Sequence, residues 1–170
     1  MTSTPDRVPS IAVHVPDEAA LAGLAARVAA ALPQRAFVAL EGDLGAGKTT
    51  FVKHVAAASG IDPAAVVSPT FGLIHVHEAA SGRLVHADFY RLPSLGELRE
   101  TGWEDAVVGD FGRGCRVFVE WPERISAALP AARVDVAIAI DSETGRTLTF
   151  TAHGPAHEPL IKALDAPPRA

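Results

Sequence analysis

Gly42-Asp43-Leu44-Gly45-Ala46-Gly47-Lys48-Thr49 fits the pattern G-x-x-x-x-G-K-[ST], the phosphate-binding P-loop. Its glycines let successive backbone N–H groups turn inward as a nest for phosphate oxygens. Lys48 adds a point charge for the β- and γ-phosphates, and the Thr49 hydroxyl suits Mg²⁺, which takes few protein ligands beside phosphate oxygens. The flanks fit the same reading. The apolar run Ala36-Phe37-Val38-Ala39-Leu40 before the loop has the character of a strand buried on both faces of a parallel sheet. Lys48 to Ser59 after it reads as a helix closed by Gly60, whose positive N-terminal end would face the phosphates.

Working outward, each periodic segment extends an α/β plan. Ile11–Val15 is a short strand. Asp17 is an N-cap for a helix with Leu21, Leu24, Val28, Ala31 and Leu32 on one face, stopped by Pro33. Residues 72–78 and 84–89 form a hairpin about Ser81-Gly82. Ser94-Leu95-Gly96-Glu97 has the capping-box spacing and opens a short helix. Arg116–Val119 is a second buried-type strand. Alternation through Val134, Val136, Ile138 and Ile140, then Leu148 and Phe150, predicts a C-terminal antiparallel hairpin. The expected fold is a P-loop NTPase whose mixed, mostly parallel central sheet is flanked by helices. It occupies one domain over 1–154, with a loose leader at 1–10 and a frayed tail over 155–170.

Phosphate chemistry at a P-loop needs an acid to hold Mg²⁺ or order water, usually where a buried strand ends. Two carboxylates qualify: Asp88, after Leu84-Val85-His86-Ala87, and Glu120, after Val117-Phe118-Val119. His75, His77 and His86 fall on the same hairpin. They read as a solvated strand face with a helper for Asp88 rather than as a separate transition-metal site. Arg91 and Arg124 are candidates for stabilising transition-state charge in cis.

Composition narrows the function. The 170 residues are 48% hydrophobic and 21% charged, as in ordinary globular proteins, and the net charge of −5 argues against gripping nucleic acid unaided. The single cysteine, Cys115, excludes an internal disulfide and fits a reducing cytoplasm. No apolar stretch reaches the roughly 18 residues of a membrane span, and the first residues lack the parts of a signal peptide, so a cytoplasmic protein is expected. No lysine lies in a guanine-reading Asn/Thr-Lys-x-Asp frame, which favours ATP over GTP. The only glutamine, Gln34, precedes the loop, so no water-orienting Gln follows it, and the absence of Asn rules out a protein-kinase catalytic loop.

Four motifs in order, the P-loop through Thr50-Phe51, Ser68-Pro69-Thr70-Phe71, His86-Ala87-Asp88-Phe89-Tyr90-Arg91-Leu92 and Val119-Glu120-Trp121-Pro122, resemble the TsaE (YjeE) family over roughly residues 15–142. The resemblance implies an ATPase of tRNA threonylcarbamoyladenosine synthesis that binds ATP or ADP with Mg²⁺ and turns over weakly alone. It implies action with TsaB and TsaD, which modify adenosine 37 of tRNAs reading ANN codons, the ATP cycle resetting that pair and tRNA being met mainly through the complex. By the same resemblance, the nucleotide is bound by Asp43, Leu44, Gly45, Ala46, Gly47, Lys48, Thr49 and Thr50. Thr49 and Glu120 ligate Mg²⁺, with Asp88 a further candidate. Lys48, Asp88 and Glu120 are the catalytic set. Ser68 to Phe71, with Ser68 and Thr70 at the nucleotide, form a switch sensing the γ-phosphate, and Trp121 lies beside the site. Leu21 and Ala25 stand where the family often has Thr and Gly. A small-molecule P-loop kinase, or a nucleotide-gated binding module without required hydrolysis, are the rival readings.

Overall fold

The computed structural model describes residues 8–70, 73–108 and 114–167. Among these described residues, seven strands form one sheet: β1 (Ser10–Val15), β2 (Arg35–Glu41), β3 (Ile74–Ala79), β4 (Gly82–Asp88), β5 (Cys115–Glu120), β6 (Arg133–Ile140) and β7 (Arg146–His153). Their order is β1-β7-β6-β2-β5-β4-β3. The four central strands β6, β2, β5 and β4 run parallel, and antiparallel partners extend them on both sides. The sheet is therefore the expected mixed one, parallel at its centre, with β6 and β7 as the C-terminal antiparallel hairpin.

The P-loop joins β2 to helix α2 (Lys48–Ala58), which packs beside α1 (Glu18–Ala31) on one face of the sheet. The Asp17 carboxylate caps α1 by accepting the Ala20 N–H at 2.8 Å. At its other end Arg116 of β5 donates to the carbonyls of Ala29, Leu32 and Pro33. The α1/α2 core holds Val38, Leu40, Phe51, Phe118 and Phe150. A second core on the opposite face gathers Phe37, Val85, Phe89 and Val117 around Trp103 of α3 (Trp103–Val108).

Three expectations are corrected. Residues 155–167 are no frayed tail: Glu158–Asp165 is a helix, α4, that buries Leu160 and Leu164 against α1, β1 and β7. Arg27 of α1 closes its last turn, donating to the carbonyls of Ala163, Leu164 and Ala166. Two residues assigned to the loose leader are ordered parts of the sheet: Ser10 opens β1, and the Pro9 carbonyl accepts the Ala152 N–H. The short helix after Ser94 forms as a 3-10 run over Leu95–Thr101, but its capping box does not close: the Ser94 hydroxyl meets the Glu97 carboxylate instead of a backbone N–H.

Parallel register brings the chemistry to one rim. Glu120 at the end of β5 stands opposite Leu40 of β2 and Asp88 of β4. The P-loop and both acids thus emerge together at the carboxyl ends of the strands, where open α/β sheets bind ligands.

Candidate functional site

Gly42 and Gly47 set the shape of the loop. A Cβ on Gly42 would lie 2.7 Å from the Ile138 carbonyl oxygen, and Gly47 opens α2 from a left-handed conformation, φ +103°. The buried Lys48 folds back so that Nζ donates to the carbonyls of Gly42 and Asp43 and stands 4.3 Å from the centre of the Trp121 ring. Burial lowers its pKa from the ordinary lysine value, against the opposing pull of Glu120, Asp88, Glu123 and Asp43.

Thr49 and Glu120 meet directly, the hydroxyl donating to Oε1 at 2.7 Å. The same oxygen is 2.8 Å from His86 Nε2. His86 therefore serves Glu120, not Asp88 as its position in the sequence suggested. Asp88 is latched differently: Oδ2 accepts from Thr70 at 2.7 Å and Ser68 at 3.1 Å, and Oδ1 from the Tyr90 N–H at 2.9 Å. The two hydroxyls lie 2.6 Å apart. Phe71, the last residue of the expected switch, is outside the described residues. Trp121 itself holds φ +59°, a left-handed conformation costing a non-glycine residue about 1–2 kcal/mol. Its ring rests 4.8 Å from that of Tyr90.

Leu44, Gly45, Gly47, Lys48, Thr49, Thr50, Ser68, Thr70, Asp88, Glu120 and Trp121 line one open cleft of 490 Å³, completed by Tyr90 and Arg91. Arg124 is not among its lining residues. Asp43 and Ala46 act from behind it, Asp43 through its carbonyl on Lys48 and Ala46 as a buried residue under Arg146. A second groove of 270 Å³ adjoins the loop, between the start of α1, Thr50 and residues 143–146. Arg146 binds this side together, donating to the Ala46 carbonyl at 3.0 Å and to the carbonyls of Ser142 and Gly145. Neither Arg146 nor this groove was foreseen. The arginine sits 100 residues from the loop it braces and touches only backbone, which leaves no motif.

The residues present fit a hard divalent cation. A hydroxyl and two carboxylates offer oxygen ligands, and one lysine faces more acidic groups than it can neutralise. Among the described residues, the cleft included, no group of three or more His, Cys, Asp or Glu side chains is placed to hold a metal ion, so a cation here would draw its remaining oxygens from phosphate and water. No helix among the described residues is long and apolar enough to cross a membrane.

The model of a family described as threonylcarbamoyl adenosine biosynthesis protein TsaE matches residues 15–148. The tRNA threonylcarbamoyladenosine biosynthesis protein TsaE of Bacillus subtilis is 39% identical over 126 residues, covering 74% of this chain and 75% of that protein. The protein of the same name from Rickettsia felis is 31% identical over 145 residues, covering 85% and 81%. In three dimensions the chain matches the crystal structure of Bacillus subtilis YdiB with a TM-score of 0.71 and 30% identity, covering 93% of this chain and 95% of that one.

Proposed function

This chain belongs to the TsaE family of threonylcarbamoyl adenosine biosynthesis proteins, a P-loop fold of tRNA modification, and on that premise we propose that it is a Mg²⁺-dependent ATPase that resets a TsaB–TsaD complex during tRNA threonylcarbamoylation. The observation that carries the reading is the convergence of Lys48, Thr49, Glu120 and Asp88 on one cleft at the mouth of the P-loop.

The backbone N–H groups of the loop and the start of α2 receive the phosphates. Lys48 exchanges its bonds to the Gly42 and Asp43 carbonyls for contacts of its ammonium with the β/γ oxygens. Thr49 and Glu120 would hold Mg²⁺, which would supply positive charge to offset that of the phosphates. Ser68 and Thr70 exchange their bonds to Asp88 for bonds toward the γ-phosphate. The freed Asp88 carboxylate accepts a hydrogen bond from the attacking water and orients it. Loss of the γ-phosphate returns both hydroxyls to Asp88 and changes the surface that the partners meet. The groove beside Arg146 receives the nucleoside, with acceptors at Glu143 and Thr144 on its wall.

The test is phosphate release from ATP by the purified chain, alone and with TsaB, TsaD and tRNA. Partner stimulation that disappears in Asp88→Ala and Glu120→Ala is the expected result. If both variants release phosphate like the unaltered chain beside active partners, the assignment of the acids is wrong. Transfer of phosphate to an added metabolite would instead favour a kinase.

A further inference from the structure

His86 is fully buried on β4, in a row whose neighbours Val85 and Ala87 are apolar. Its Nε2 lies 2.8 Å from Glu120 Oε1. A carboxylate can only accept, so the proton of this bond belongs to Nε2. The other ring nitrogen, Nδ1, has no hydrogen-bond partner among the described residues. Burying an imidazole with one nitrogen unpaired costs stability that an aliphatic side chain would not. Packing therefore does not account for histidine here; the bond to Glu120 does.

The geometry of that bond is selective. Oε1 of Glu120 takes both hydrogen bonds, from Thr49 on one side and His86 on the other. Two donors on one oxygen fix the carboxylate plane. Oε2 accepts no hydrogen bond among the described residues and is thereby left for a cation. Thr49 stands in the first turn of α2 and is itself assigned to the cation, whereas His86 is rooted in the central sheet and serves only the carboxylate. Resting on the reading of this cleft as an ATP–Mg²⁺ site, we propose that His86 is a positioning residue for Mg²⁺ binding: its Nε2–H holds the Glu120 carboxylate so that Oε2 is preset for the cation. This mirrors, with the roles exchanged, the carboxylates that orient metal-binding histidines.

The test measures binding of a fluorescent N-methylanthraniloyl-ADP to the full chain, first in EDTA and then across a Mg²⁺ titration. Three variants separate orientation from packing. His86→Gln keeps an N–H near the Nε2 position. His86→Asn carries its N–H one atom short of Glu120. His86→Leu has no donor. The Asn and Leu variants should need about tenfold more Mg²⁺, or more, to reach half-maximal tightening of ADP binding, as loss of an outer-shell partner does elsewhere. The Gln variant should stay within about threefold of the unaltered chain, and binding in EDTA should change little in all three. If Leu fails to fold, the Asn and Gln pair decides. Asn binding Mg²⁺ like the unaltered chain overturns the proposal. So does a loss in EDTA that equals the loss in Mg²⁺, which marks a packing role. An unaltered chain whose ADP binding ignores Mg²⁺ defeats the ATP–Mg²⁺ reading itself and this inference with it, and that failure is visible before any variant is made.

Discussion

Trp121 combines three features seldom found together: a left-handed backbone, a ring against Tyr90, and a lysine ammonium over its face. The only other tryptophan, Trp103, is buried in the core below the sheet. Nucleotide that draws Lys48 away from the ring should therefore change Trp121 emission alone. Titration with Mg-ADP should shift the intrinsic fluorescence of the unaltered chain and leave that of Trp121→Phe flat. Arg146 carries a second prediction at this scale. Its removal leaves the Ala46 carbonyl without its guanidinium donor and loosens the loop from the turn at 142–145, so Arg146→Ala should bind ADP roughly tenfold more weakly while keeping its fold. Calorimetric titration beside a thermal melt checks both halves. These residues also mark how far the site could be read from sequence. Lys48 and Thr49 stand in one contiguous motif, and Asp88 and Glu120 stand at strand ends that parallel register must align. The Glu120–His86 bond and the Arg146 brace depend on which strands become neighbours, and no local pattern carries that.

The helices show the same division. Helix α1 was readable because its cap, its apolar stripe and its terminating Pro33 all lie within one stretch. Helix α4 was not, since Glu158–Asp165 is too short to be stable alone. What holds it comes from elsewhere: a surface on α1 and β7 for Leu160 and Leu164, and Arg27 for its last carbonyls. Leu160→Ala should destabilise the protein by about 2–4 kcal/mol through a lost side chain and a residual cavity. Arg27→Ala should cost about 1–2 kcal/mol through unpaired carbonyls at a helix end. Urea unfolding of both variants measures these losses, and proteolysis within 155–167 should rise in step. A tail that carried no stability would leave both midpoints unchanged.

Across the whole molecule, the basic residues divide by task. The sequence has three lysines against twelve arginines, and Arg27, Arg116 and Arg146 each spend a guanidinium on backbone carbonyls at the end of a helix or loop. Planar, multiply donating arginine suits that work, and the lysine in the cleft is left as the mobile point charge. The lone thiol reports on the whole assembly. Cys115 is buried, and burial raises its pKa above the ordinary thiol value. Above that ordinary value the unfolded chain loses the thiol proton while the folded one keeps it, so this group favours unfolding only at alkaline pH. Labelling by a thiol reagent should be slow in the native protein and should accelerate through the same urea range in which the fold is lost; fast labelling without denaturant would contradict the packing at β5. The outermost pairing has one more consequence. Strand β1 at residues 10–15 has a single partner, β7 at 146–153. On the ribosome, the P-loop segment therefore emerges about a hundred residues before the strand and arginine that brace it, at roughly 5–20 residues per second. For several seconds of synthesis the nascent chain carries the phosphate-binding motif with neither its edge strand paired nor its loop tied down, so nucleotide should be held more weakly until residues 146–153 have emerged.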